Sequence, residues 1–162
     1  MRTAIVFGLG VCVGALLLGP SAAQNRPARG LNHVGIVVAD YDAAMAFYTE
    51  AMGFKEAYTI RRPDGSPLLT YLQLNRDTFV ELIPAAPGQQ PGITHFGVEV
   101  DDIDAAVTRL RQHGMTVADP GLTPANARYV RMRDRDDAEI EIMEFGPGAL
   151  QRKAIDAWPD AY

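Results

Sequence analysis

The sequence predicts an α+β fold in which two βαβββ modules join into one curved mixed sheet, forming a cup. Three observations predict it. A segment near residue 31 recurs 62 positions later, each copy reads as a strand running into a helix, and each is followed by three more apolar runs of strand length.

The first strand is Leu31-Asn32-His33-Val34-Gly35-Ile36-Val37-Val38, and its repeat is Ile93-Thr94-His95-Phe96-Gly97-Val98-Glu99-Val100. Both alternate apolar residues at the strand period. Asp40 and Asp102 then stand where an N-cap is wanted, ahead of Ala-rich helical stretches. Gly53 ends the first helix, and strands are predicted at 54–60, 68–74 and 78–83, with Arg62 to Pro67 as a turn. Pro84 to Gly92 is too rich in Pro and Gly for a regular element and connects the modules. His113 and Gly114 end the second helix, with His113 exposed at its C-terminus, and strands are predicted at 115–118, 128–133 and 138–145. The folded unit therefore spans 31–146, with module one at 31–83, the connector at 84–92 and module two at 93–146. A tail at 147–162 carries Leu150, Ile155 and Trp158 and suits a short amphipathic segment over the site or against a dimer neighbour.

Length and charge bound the function. The chain has 162 residues, 48% hydrophobic and 22% charged, which suits one globular domain. Its net charge of −5 offers no global pull on a phosphate backbone, so nucleic acid is excluded as a partner. Residues 1–23 differ from the rest: Arg2 is their only charge, Ala4 to Leu18 is apolar apart from glycines, and Pro20-Ser21-Ala22-Ala23 follows. This reads as a secretory signal peptide, too short and too interrupted by glycine for a membrane span. The expected product is exported, periplasmic or secreted, with residues 24–30 as a linker and no membrane association after cleavage. Cys12, the one cysteine, lies in that segment, so thiolate metal sites and disulfides are excluded from the mature chain.

Strand parity separates two faces. Val34, Ile36 and Val38 share one face with the first helix, and Phe96, Val98 and Val100 do the same in module two. The opposite face carries His33 and Gly35, or His95 and Gly97, each Gly leaving room over its histidine. In the last strands the same parity turns Glu81 and Glu141 toward that face. Glu81 follows His33 by 48 residues and Glu141 follows His95 by 46, so the duplication is nearly exact in spacing. Buried carboxylates beside imidazoles are costly unless a cation lies between them, which makes His33, Glu81, His95 and Glu141 a candidate divalent metal site. Tyr71 and Arg131 fall on the same face and are candidate substrate contacts, Arg131 for an anionic group.

The chain resembles the vicinal oxygen chelate superfamily, which includes glyoxalase I, methylmalonyl-CoA epimerase, bleomycin resistance proteins and extradiol dioxygenases. The resemblance runs from Leu31 to Phe145 and is carried by the two His strands, Ala46-Phe47-Tyr48 through Gly53-Phe54, Phe79-Val80-Glu81, and Asp134 through Glu144. It implies that His33, Glu81, His95 and Glu141 ligate nickel, zinc, iron or manganese, the set found in glyoxalase I. It further implies proton transfer beside a metal-chelated carbonyl of a small molecule, by a lyase or isomerase with Glu141 as the base. Val37 and Ala85 stand where glyoxalase I carries its glutathione-binding Arg and Asn, so the implied substrate is another one. Two alternatives stay open, an Fe(II) extradiol-type dioxygenase and a non-catalytic binding protein of the drug-resistance type. A homodimer with exchanged modules suits the connector as well as a single-chain cup does.

Overall fold

The structure, a computed structural model, describes residues 28–159; the expected signal segment lies outside them. Module one comprises β1 (Gly30–Val38), α1 (Tyr41–Ala46), β2 (Lys55–Arg61), β3 (Pro67–Asn75) and β4 (Thr78–Pro84). Module two comprises β5 (Gly92–Glu99), α2 (Ile103–Gln112), β6 (Gly121–Leu122), β7 (Arg128–Arg133) and β8 (Glu139–Glu144), and α3 (Leu150–Asp156) follows. No described helix is long and apolar enough to cross a membrane.

The capping logic holds in both modules. Asp40 Oδ1 accepts from the Ala43 N–H at 3.0 Å, and Asp102 Oδ1 accepts from the Ala105 N–H at 2.9 Å. After α1 the chain widens into a π-helical turn at Phe47–Ala51, where the Thr49 hydroxyl donates back to the Met45 carbonyl at 2.8 Å. Gly53 and Gly114 then leave the helical stretches at φ 74° and 80°, conformations that side chains with a Cβ resist.

All eight strands form one sheet in the order β2-β3-β4-β1-β5-β8-β7-β6. The modules meet where β1 pairs antiparallel with β5, and each of those strands pairs in parallel with the last strand of its own module, β1 with β4 and β5 with β8. The cup is therefore closed within one chain. Helices α1 and α2 cover the outer face over two apolar clusters, Ile36, Val38, Leu72, Val80 and Leu82 in one and Val98, Ile103, Val107, Val130 and Ile142 in the other.

Two expectations are corrected. The strand predicted at 115–118 does not form: Val117 is buried, but its carbonyl takes Nε and Nη2 of Arg111 at 3.1 and 2.8 Å, and Pro120 brings no N–H to a ladder. The short strand β6 comes after that proline, paired with β7. The inner face is also less polar than parity implied. Tyr71, Phe79, Met143 and Phe145 form a third cluster inside the cup, closed by Ala149 and Ile155 from the tail. Leu150 donates its N–H to the Ala125 carbonyl at 2.9 Å, and Arg152 of α3 pairs with Glu99 of β5 at 2.8 Å. The tail is thus a lid over one end of the cup.

Register explains the two inner glycines. His33 stands opposite Gly97 and His95 opposite Gly35, so each ring lies over the glycine of the other module. A Cβ on Gly97 would clash with the His33 ring at 2.0 Å and lie 2.9 Å from Asn32 Oδ1, and one on Gly35 would clash with the His95 ring at 2.0 Å. The room that each glycine makes is for the opposite histidine, not for its own. Gly97→Ala is expected to destabilise the fold by about 1–3 kcal/mol through overpacking and to displace His33, whereas Gly30→Ala, with no atom near its Cβ, leaves both unchanged. Urea unfolding together with metal content of the purified variants measures this.

Candidate metal centre

The inner register rows assemble the site. Glu81 of β4 stands beside Gly35 of β1, which faces His95 of β5; in the next row Glu141 of β8 stands beside Gly97, which faces His33. Each imidazole crosses a glycine to reach the carboxylate beyond it. His95 Nε2 lies 3.0 Å from Glu81 Oε2, and His33 Nε2 lies 3.6 Å from Glu141 Oε2. The two Nε2 atoms are 3.1 Å apart. All four residues are buried, with exposures of 0% for His33, 6% for Glu81, 4% for His95 and 3% for Glu141.

The rings are held from behind. His33 Nδ1–H donates to Asn32 Oδ1, and His95 Nδ1–H donates to the Thr94 hydroxyl at 3.0 Å, which itself donates to the Gly35 carbonyl at 3.2 Å. These partners assign the proton to Nδ1 and turn both Nε2 lone pairs into the cup, as metal-ligating imidazoles require. A break in the β1 register beside Leu31 lets Asn32 sit buried next to His33. Asn32 and Thr94 were missing from the expected site, although each immediately precedes a repeated histidine.

A divalent ion fits this donor set. The ligand atoms of His33, Glu81 and His95 lie 3.0 to 3.9 Å from one another, and two imidazole nitrogens with a carboxylate oxygen are donors that a divalent ion takes. Glu81 Oε2 is buried with no hydrogen-bond partner, a costly state that an ion relieves. His33, Glu81 and His95 form the compact trio of ligand atoms. Glu141 differs: Arg131 of β7 grips its Oε1, with Nε and Nη2 both at 2.6 Å.

Charge follows from these contacts. Burial pushes the Glu141 carboxyl up, but the His33 hydrogen bond and the charges of His33, His95 and Arg131 outweigh it and hold Glu141 at about 2. Burial pulls His95 down, yet the Glu81 carboxylate 3.0 Å away and the charge of Glu141 leave it raised above its ordinary value. Burial, then the charge of Glu81, drives the Tyr71 hydroxyl well up, so it stays protonated. Tyr71 is a buried wall residue, stacked on Tyr58 with centroids 5.0 Å apart and tilted against His33 at 5.3 Å. Arg131, expected to await an anion, is already engaged by Glu141 and, at 3.7 Å, by Glu139.

Next to the trio, a pocket of about 80 Å³ opens between Tyr71, Glu81 and Glu141 on the floor and Thr123, Pro124, Ala125 and Tyr129 at the side. Gln151 of α3 reaches it from the tail. The tail helix therefore contributes to the site, the first of the two places expected for an amphipathic tail, although no pattern singled out Gln151.

A buried two-His, two-Glu cluster inside a cup of paired βαβββ modules is a candidate metal centre of the vicinal oxygen chelate type. Residues 30–142 match the sequence model of the Glyoxalase/Bleomycin resistance protein/Dioxygenase superfamily, and the chain belongs to that family. Among its relatives, YaeR of Escherichia coli is 29% identical over 70% of this chain and 95% of that protein. An ethylmalonyl-CoA/methylmalonyl-CoA epimerase of Cereibacter sphaeroides is 33% identical over 56% of this chain and 75% of its own. The crystal structure of methylmalonyl-CoA epimerase from Mycobacterium tuberculosis superposes with a TM-score of 0.66 at 26% identity, covering 76% of this chain and 92% of that one.

When the His95 ring is charged, an ion taken up at Nε2 would displace the second proton from it. Below the raised His95 value the ring is charged and pairs with Glu81, so apparent metal affinity is expected to fall by about tenfold per pH unit on acidification through that range. Titration with zinc in weak buffer between about pH 6 and 8 should release protons; a flat affinity would contradict the assignment.

Proposed function

We propose that the protein is a metal-dependent isomerase or lyase that moves a proton at a carbon beside a chelatable pair of substrate oxygens. The observation that carries this reading is the division of the four donors: His33, Glu81 and His95 converge as one trio, whereas Glu141 is tied by Arg131. The trio would hold the ion. When bound, a divalent ion acts as a Lewis acid toward the oxygen pair and lowers the cost of removing the neighbouring proton. Glu141 is the base. It is held ionised, the form that accepts a proton, and its Oε2, the oxygen outside the Arg131 grip, receives it. Arg131 fixes the carboxylate toward the pocket, and the Tyr71 wall keeps the floor dry.

The likeness to methylmalonyl-CoA epimerases supports the isomerase half of this reading and makes methylmalonyl-CoA the first substrate to try. Protein loaded anaerobically with nickel, zinc, iron or manganese should catalyse deuterium exchange at the carbon between the two carbonyl groups, followed by NMR. Glu141→Gln should keep its metal and lose about 10²–10⁴-fold in exchange rate, whereas Glu81→Gln should lose the metal. Exchange by Glu141→Gln at the wild-type rate would refute the base assignment.

A second reading rests on the same trio, because two imidazoles and one carboxylate also suit oxygen-activating iron. Catechol cleavage by the iron form, without deuterium exchange, would favour it.

We further propose that residues 1–23 direct export. A reporter carrying the first 30 residues should be exported, and cell fractionation reads the outcome. Export would turn the substrate search to small free carbonyl compounds, retention to CoA thioesters.

A further inference from the structure

We propose that Gln151, on the tail helix, is a substrate-contacting residue, and that its side-chain carbonyl receives an O–H or N–H of a compact substrate held at the metal trio. The inference rests on the metal reading above and specifies which molecule the site takes. Gln151 is 1% exposed, lines the pocket beside Glu81 and Glu141, and its Oε1 has no hydrogen-bond partner. It lies with the buried Tyr71 in the lining of the same pocket. A buried carbonyl left without a donor costs about 1–3 kcal/mol, a state that persists where a ligand supplies the donor.

Two acceptors thus flank one small space. Glu81 Oε2 is unpaired on the metal side and Gln151 Oε1 on the tail side. The rest of the lining mixes apolar residues, among them Ile60 and Leu69, with the side-chain donors of Thr123, Tyr129 and Arg131, none of which is bonded to Gln151 Oε1. The pocket of about 80 Å³ is roughly half the ~150 Å³ that holds a benzene ring, so its enclosed part admits only a few heavy atoms. The geometry selects a small molecule, or a small acyl head, with an oxygen pair at one end and one hydroxyl or amide donor at the other. Gln151 lies beyond residues 30–142, so this contact belongs to the tail and not to the segment shared with the superfamily.

A pair of chelating probes separates the ideas. Lactohydroxamic acid carries a hydroxamate and a hydroxyl donor; propionohydroxamic acid lacks the hydroxyl. Calorimetry on the full chain should show the hydroxylated probe binding at least about tenfold more tightly, since a site with an unpaired acceptor rejects an analogue that leaves it unpaired. Gln151→Met, similar in length, should abolish that preference while leaving propionohydroxamic acid affinity unchanged, which also certifies the fold. Gln151→Asn, with the amide drawn back by one methylene, should abolish it too. Equal affinities in the wild type, a preference that survives in Gln151→Met, or no binding of either probe would overturn the proposal. The titrations are run with and without zinc. Failure to take up zinc would sink the metal reading alone, because a Gln151-dependent preference in the metal-free protein would still support the contact and its absence there would still overturn it.

Discussion

The antiparallel seam between β1 and β5 is the constraint on which the rest of the molecule depends. At this seam His33 faces Gly97 and His95 faces Gly35, and the two rings lie across opposite glycines until their Nε2 atoms are 3.1 Å apart. A one-residue slip of either strand would turn its histidine away from the other, since strand side chains alternate between faces. The fold and the site are therefore specified by the same register.

That arrangement carries an electrostatic cost. Two carboxylates and two imidazoles are removed from water within a few ångströms, and desolvating each ion costs several kcal/mol after relaxation. The protein offsets this unevenly. Arg131 neutralises Glu141 with two contacts, while Glu81 keeps an oxygen unpaired beside His95. Asn32 and Thr94 hold the Nδ1 protons and keep the lone pairs inward, which stabilises the rings in the orientation that repels most when the centre is empty of charge. A set of groups held against its own repulsion is preorganised for a cation.

Much of this was legible before the structure, for a physical reason. Strand parity and the repeat need only local pattern, and they put His33, Glu81, His95 and Glu141 on one inner face. Pairing partners across the sheet are not local. Gly35 was read as space for its own histidine because its true neighbour, His95, lies on a strand 60 residues away. The run at 115–118 looked like a strand because Val117 is buried, yet a guanidinium had taken its carbonyl. Gln151 carried no signal at all. It is a single polar residue in an amphipathic tail, and only the docking of α3 against Ala125 and Glu99 brings it to the pocket.

The duplicated modules also explain how a nearly symmetric cup acquires a direction. The residue paired with Glu81 across the strands is Tyr71, and the residue paired with Glu141 in the equivalent position is Arg131. An aromatic wall cannot neutralise a carboxylate, so Glu81 keeps an oxygen free for an ion; a guanidinium can, so Glu141 is restrained and left outside the trio. The tail helix covers the Tyr71 side and Arg131 is partly exposed on the other, so the two carboxylates stand in different surroundings. In the proposed function, a metal holder and a base would thus arise from one repeated glutamate through a single difference in its neighbour.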